Sequence, residues 1–218
     1  MKYKLVIFDM DGTTLDTLHD ITLSMNRALE DEGLPPITDE ESIRMQGWGV
    51  NIFTSKACPD GTPEDVRLRV REGFRKYYEA SPKENTMPYE GIVELLKDLK
   101  ARGYKLAVSS NKLDPAVQEL AEKHFPGMFD FAVGFKDGLP RKPDPASVYM
   151  AEEALGAEPS ETLYVGDSET DVETAANGGV DCLICLWGFR TRDELEKAGA
   201  KVFCEKPSEI LDYVEGAK

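Results

Sequence analysis

Apolar residues in this chain fall into short continuous runs, separated by stretches in which they recur every three or four positions. Leu5-Val6-Ile7-Phe8 is the first run, with the length and continuity of a strand buried on both faces. A helical pattern follows over 20–32, where Ile21, Met25, Ala28 and Leu29 share one face. The pattern stays helical as far as Ser81, with no strand evident. Within it Thr38-Asp39-Glu40-Glu41 reads as a capping box, and Thr62-Pro63 as an N-cap with proline at the first helical position. From Glu90 strands and helices alternate: a helix over 90–102, a strand over 105–109, a helix opened by Asp114-Pro115 and a strand over 131–135. Then come a helix opened by Asp144-Pro145, a strand over 162–165, a helix ending at Gly178-Gly179 and a strand over 180–186.

Strands separated by helices predict an α/β fold: a doubly wound parallel sheet with a Rossmann-like core and helices on both faces. The helical block interrupts it as an inserted small α-helical domain. The expected core is 1–15 with 86–218, the expected insertion is 16–85, and joints fall at Gly12–Thr17 and Ser81–Gly91. At 218 residues the chain can bury a substantial core.

Charge removes some partners. With 26 Lys and Arg against 41 Asp and Glu the net charge is -15, which opposes nucleic acid and anionic lipid, so neither is an expected partner. Four cysteines do not make a disulfide framework in a chain this long, and no run is apolar enough to cross a bilayer. Residues Met1–Phe8 lack the apolar core of a signal peptide, so the expected address is cytoplasmic. Monomer and dimer are both open.

Chemistry concentrates where strands end, which in such sheets is where ligands bind. The first strand ends in Asp9-Met10-Asp11-Gly12-Thr13. Two carboxylates beside a buried strand are costly unless a cation neutralises them, and Mg²⁺ held by oxygen ligands would do so. A carboxylate can also attack phosphorus and carry it as an aspartyl-phosphate. Ser109-Ser110-Asn111-Lys112 ends the next core strand, Arg141-Lys142-Pro143-Asp144-Pro145 follows the third, and Gly166-Asp167-Ser168-Glu169-Thr170-Asp171 follows the fourth. Together they supply a nucleophile, hydroxyl and amide donors, a cation and a second acidic cluster, the parts that phosphoryl transfer needs.

Each piece has a plainer reading. Asp9–Gly12 could be a turn or part of a calcium loop, but an EF-hand places its glycine sixth and here it is fourth. Lys142 alone would be a solvated lysine, Ser110-Asn111 an ordinary turn, and Asp167 or Asp171 a helix cap. Their shared placement at strand ends raises them above that. Cys182 and Cys185 have the spacing of a redox pair, yet three positions along a strand send side chains to opposite faces, so they are expected in the core. His19 and His124 lack a third partner for zinc, and His124 closes a helix where it can meet terminal carbonyls.

These four ordered motifs resemble those of the haloacid dehalogenase superfamily, in the branch of phosphoglycolate phosphatase and β-phosphoglucomutase, and the match runs over nearly the whole chain. The resemblance implies a helical cap inserted between the first two motifs. It implies Asp9 as nucleophile, Asp11 as acid and then base, Lys142 as the charge-balancing cation, and Ser110 with the Asn111 amide on the phosphoryl oxygens. Mg²⁺ would be held by the Asp9 carboxylate, the Asp11 carbonyl and Asp167, with Asp171 as an outer or water-mediated partner. Gly12, Thr13, Asn111, Gly47 and Trp48 are the implied substrate contacts, although Trp48 also suits a buried aromatic role. Thr14 departs from the usual apolar residue, with an expected effect on packing and not on chemistry.

The function expected is a Mg²⁺-dependent phosphatase acting on a small phosphorylated metabolite through a phospho-aspartyl intermediate. A sugar-phosphate mutase of the same branch competes, but it needs cations under the cap, and Met45–Ser55 has no Lys or Arg, although Arg44 and Lys56 flank the stretch. The resemblance disfavours dehalogenation, because family members with that chemistry lack the second aspartate of the first motif, which is Asp11 here, and it disfavours a non-catalytic binding module because every catalytic position is filled.

Overall fold

The computed structural model describes residues 2–216, and the chain divides into two compact units, 1–15 with 88–218 and 16–87. In the first unit β1 (Leu5–Phe8) lies inside a six-stranded sheet. Between β2 (Leu15–Asp16) and β3 (Met87–Pro88), which pair with each other, the chain forms the second unit. It then runs through α5 (Ile92–Ala101), β4 (Lys105–Leu113), α6 (Asp114–His124), β5 (Phe131–Phe135), α7 (Ala146–Leu155), β6 (Thr162–Gly166), α8 (Glu169–Gly178), β7 (Asp181–Cys185), α9 (Arg192–Lys197), β8 (Phe203–Cys204) and α10 (Ser208–Val214).

The strand order β5-β4-β1-β6-β7-β8 is parallel throughout, and it reverses direction at β1. That reversal opens a crevice at the carboxyl ends of β4, β1 and β6. Register makes the three ends level: Phe8 pairs with Val108 on one side and Val165 on the other. Side chains alternate between two cores, as a pleated strand covered on both faces requires. Val6, Phe8, Leu106, Val108, Leu163 and Val165 pack against α5, α6 and α10 through Leu96, Leu120 and Ile210. Leu5, Ile7, Ala107 and Tyr164 pack against Val148 and Ala151 of α7 and Ala175 of α8.

The second unit holds four helices, α1 (Leu18–Asp31), α2 (Asp39–Met45), α3 (Val50–Ala57) and α4 (Glu64–Ala80). Ile21, Met25, Ala28 and Leu29 of α1 are buried, as are Val70, Phe74 and Tyr78 of α4, and Phe53 of α3 meets Phe74 edge-on at 5.5 Å. The Thr38–Glu41 capping box opens α2 as expected. Asp20 secures the returning chain: it accepts hydrogen bonds from Asn85 N at 3.0 Å, Asn85 Nδ2 at 2.9 Å and Thr86 Oγ1 at 2.7 Å.

Three local expectations change. Thr62 does not cap α4; its hydroxyl donates to the Pro59 carbonyl at 2.7 Å, and the helix starts after Pro63 without a side-chain cap. β4 continues through Leu113 with a register shift after Ser109, so the Ser110-Asn111-Lys112 motif lies inside a kinked strand end instead of beyond it. His124 does close α6, but burial leaves its Nε2 without a hydrogen-bond partner and lowers its pKa. Cys182 and Cys185 face opposite cores and are free thiols, as the strand period requires. Among the described residues no helix is long and apolar enough to cross a membrane.

Candidate active site

The three level strand ends meet around Lys142, which lies between β5 and α7. Asp9 continues β1, held by its amide on the Val165 carbonyl at 2.9 Å. The chain then turns sharply, with the amides of Thr14 and Leu15 both 3.0 Å from the Met10 carbonyl. Gly12 takes φ +86°, and a Cβ there would collide with the Asp167 carboxylate, so conformation and space both call for glycine. Thr13 donates its hydroxyl to Asp167 Oδ1 at 3.0 Å, and the Thr14 hydroxyl lies 3.3 Å from the Met10 carbonyl inside the turn.

Lys142 is 6 % exposed. Its Nζ is 2.7 Å from Asp171 Oδ1, 3.0 Å from Asp9 Oδ1, and 3.1 Å from both the Ser109 carbonyl and the Tyr164 hydroxyl. Burial alone would push this ammonium toward neutrality, but the Asp171 and Asp9 charges outweigh it and hold its pKa well above the ordinary lysine range. Asn111 fixes the main chain at this point: its side chain donates to the Lys142 carbonyl at 3.0 Å and accepts from the Lys142 amide at 2.9 Å. The Asn111 side chain thus ties two strand ends together. Ser110 is buried beside it, its Oγ 3.3 Å from the Lys112 amide.

Two of the three carboxylates of the fourth motif, Asp167 and Asp171, face the site and make different contacts. Asp167 is 1 % exposed, and its Oδ2 accepts from the Phe189 amide at 2.7 Å. Asp171 closes a capping box with Ser168 at the start of α8: its Oδ2 accepts from the Ser168 hydroxyl at 2.6 Å and amide at 3.1 Å. Its Oδ1 accepts from Lys142 and, at 3.2 Å, from Tyr164. With both oxygens accepting protein donors, Asp171 orients Lys142 and the helix start.

Three carboxylates, Asp9, Asp167 and Asp171, bring one oxygen each within 4.8 Å of one another. Burial first, and then the Asp171 and Asp11 charges against the pull of Lys142, push Asp9 up to about 7, and burial with the Asp171 and Asp9 charges holds Asp167 well above the usual carboxylate range. Asp9 Oδ1 is buried, with the Lys142 ammonium 3.0 Å away as its cationic neighbour. Three buried carboxylates crowded together with a single lysine fit a divalent cation, with Asp9 and Asp167 as holders and the Asp11 carbonyl within the same turn.

Several participants had no assigned role in the sequence reading. Tyr164 sits in the middle of an apolar strand, and alternation sends its hydroxyl under Lys142. Lys112 pairs with Asp11 at 2.9 Å. The segment after β7 supplies the Phe189 amide, a Trp187 Nε1 donor to the Thr13 carbonyl at 3.0 Å and the buried Arg190, which pairs with Glu169 at 2.8 Å. The strand-end rule applied to this fifth strand would have reached that segment. Gly47 and Trp48 lie in the second unit between α2 and α3, Gly47 exposed and Trp48 half-buried.

A family model described as haloacid dehalogenase-like hydrolase matches residues 6–185, a span that includes all four strand ends. The chain belongs to this family. Relatives of this haloacid dehalogenase-like chain include the phosphoglycolate phosphatase of Aquifex aeolicus, 34 % identical over 187 residues that cover 85 % of this chain and 86 % of the relative. The phosphoglycolate phosphatase of Cereibacter sphaeroides is 36 % identical over 190 residues, with 85 % and 86 % covered. A crystal structure from Lactobacillus delbrueckii subsp. bulgaricus, of a protein provisionally named as a phosphoglycolate phosphatase, matches with a TM-score of 0.93 and 37 % identity over 98 % of this chain and 99 % of that one. The six-stranded parallel core is thus the haloacid dehalogenase-like fold.

Proposed function

We propose that this protein is a Mg²⁺-dependent phosphatase that hydrolyses a small phosphate monoester through a phosphorylated Asp9. The observation that carries this reading is the convergence of Asp9, Asp167 and Asp171 on the buried Lys142. Phosphoryl transfer asks a protein mainly for positioning and for positive charge opposite the equatorial oxygens. A carboxylate approaching a phosphate dianion meets about 1 kcal/mol of repulsion per charge pair at 4 Å in water, and roughly four times that at an effective dielectric near 20. Lys142 offsets part of this, and a divalent ion held by Asp9, Asp167 and the Asp11 carbonyl would supply the rest.

In the first half-reaction an Asp9 oxygen bonds to phosphorus as the ester P–O bond breaks, and Asp11 gives its proton to the leaving oxygen. In the second, Asp11 takes a proton from water, the water oxygen bonds to phosphorus, and the Asp9–phosphorus bond breaks to release inorganic phosphate. Ser110 and the Asn111 amide are the proposed donors to the phosphoryl oxygens, with Gly12 and Thr13 shaping the turn beneath them. Gly47 and Trp48 enter as proposed substrate contacts on the family resemblance. The names of the relatives support 2-phosphoglycolate as the first substrate to try. The lack of Lys or Arg over Met45–Ser55 favours hydrolysis over transfer between two phosphate sites. The test is a screen of small phosphate monoesters with and without Mg²⁺, alongside Asp9→Asn. Turnover lost in that variant and in chelator supports the proposal, and retained hydrolysis in Asp9→Asn overturns it.

A further inference from the structure

A groove on the core unit, between α5 and α10, contains none of the residues of the four motifs. It holds about 510 Å³, within the range of small-molecule sites, and its apolar lining is Tyr89, Leu95, Trp187, Pro207 and Leu211. Its charge is one-sided. The lining carries four carboxylates, Glu90, Glu94, Asp98 and Glu205, against one ammonium, Lys206. Glu90, Glu94 and Asp98 are exposed and have no ion pair among the described residues. Glu94 and Asp98 lie one turn apart on α5, and like charges at that spacing destabilise a helix. Elsewhere in the chain the same spacing is answered by a cation, in the pairs Arg69–Asp65 and Arg192–Glu196.

From this apolar lining edged by unanswered negative charge we propose that the groove binds a linear aliphatic polyamine of the spermidine class. Residues one helical turn apart are separated by about 6 Å along the axis, and two ammoniums on a four-carbon linker span roughly the same distance. The methylene segments lie on Leu95, Pro207 and Leu211, and Tyr89 and Trp187 supply rings for cation–π contact. The apolar lining is what selects this ligand over a metal ion, since a hard cation is held by oxygen ligands and gains nothing from hydrocarbon. The groove adjoins the turn of the first motif. Trp187 Nε1 donates to the Thr13 carbonyl at 3.0 Å and the Tyr89 amide to the Thr14 carbonyl at 3.2 Å, so an occupant touches two residues that hold that turn. Binding at the groove does not depend on the phosphatase reading.

The test is calorimetric titration of spermidine into the full chain at physiological salt and in excess Mg²⁺, which keeps the probe off the carboxylates of the candidate active site. One spermidine per chain is expected, bound at least about tenfold more tightly than n-butylamine, because an exposed ion pair contributes up to about fivefold and two more are made. The triple variant Glu90→Gln, Glu94→Gln, Asp98→Asn should weaken spermidine about tenfold or more, whereas Glu79→Gln, Glu122→Gln, Glu153→Gln, which removes the same charge from exposed positions elsewhere, should change it less than about threefold. Trp48→Phe leaves Trp187 as the sole tryptophan, and its emission should shift on binding. Equal losses in the two triple variants, many weak sites per chain, or unchanged Trp187 emission would mean diffuse attraction to the net charge of -15 and overturns the site. A preference for trilysine over spermidine, or self-association that the groove variant abolishes, would make the occupant a protein surface and overturns the polyamine assignment. Circular dichroism checks folding, and if the groove variant does not fold, the n-butylamine ratio and the Trp187 emission decide.

Discussion

The main-chain amide of Phe189 donates a 2.7 Å hydrogen bond to Asp167 Oδ2, so the segment after β7 sets the orientation of the carboxylate proposed to hold the metal. Gly188 makes that approach possible, because a Cβ there would overlap the Asp167 side chain and the Gly12 carbonyl. Gly188→Ala is therefore expected to weaken Mg²⁺ binding by about 10- to 100-fold, the usual effect of disturbing an outer partner of a ligand. Calorimetric titration of Mg²⁺ into the variant measures it, and unchanged affinity would contradict a metal at Asp167.

Asp9 is held up to about 7 by burial and by the Asp171 and Asp11 charges, against the pull of Lys142, whereas in the unfolded chain it titrates near 3.8. An acid with a raised folded pKa contributes most to stability below the unfolded value, and that contribution declines as pH rises from about 4 to about 7. Asp9→Asn removes the penalty along with the charge. In metal-free protein the variant should gain on wild type across that window and hold a constant advantage above it. Thermal melts of both proteins from pH 4 to 8 follow the difference, and a flat difference would sink the prediction.

Lys142 depends on Asp171 for its direction. Asp171→Asn turns one of two accepting oxygens into a donor, which must face either the Lys142 ammonium or the Ser168 donors. A displacement of about 1 Å in such a site costs on the order of 100-fold. We expect that loss in kcat, with Mg²⁺ affinity changed much less, since the proposed direct ligands lie elsewhere. A variant whose Mg²⁺ affinity falls as far as its kcat would make Asp171 a direct ligand.

Asp20 holds the end of the helical unit through Asn85 and Thr86. Burial would raise its pKa, but those hydrogen bonds outweigh it and leave the carboxyl below its ordinary value. The stability it contributes is present above the unfolded pKa and is lost as pH falls through the folded one. Asp20→Ala should cost about 1–3 kcal/mol at pH 7 and progressively less toward pH 3 in urea denaturation, because the wild type loses the same bonds there. An equal cost at both ends of that range would rule out the carboxylate as the source.

Much of this molecule can be read without coordinates. The alternation of short apolar runs and periodic segments determines the parallel sheet, because a strand buried on both faces must be apolar throughout while its covering helices need only one apolar stripe. Polar residues at the ends of β1, β6 and the third core strand are conspicuous for the same reason: nothing else interrupts those runs. Asp9, Lys142, Asp167 and Asp171 were therefore visible as a set, although their spacing along the chain says nothing of distance. Tertiary structure alone decided which groups each of them meets. Tyr164 looked like core, and only the pleat of β6 directs its hydroxyl to Lys142. Asp171 reads from the sequence as an outer metal partner or a cap, and the fold shows its capping box, with the second oxygen on the lysine. Lys112 looked like the tail of a motif until the kink in β4 placed it on Asp11. Local sequence encodes burial and periodicity, which are properties of one segment. Pairing between charges on four strands depends on register and side-chain direction, and those exist only once the sheet is assembled.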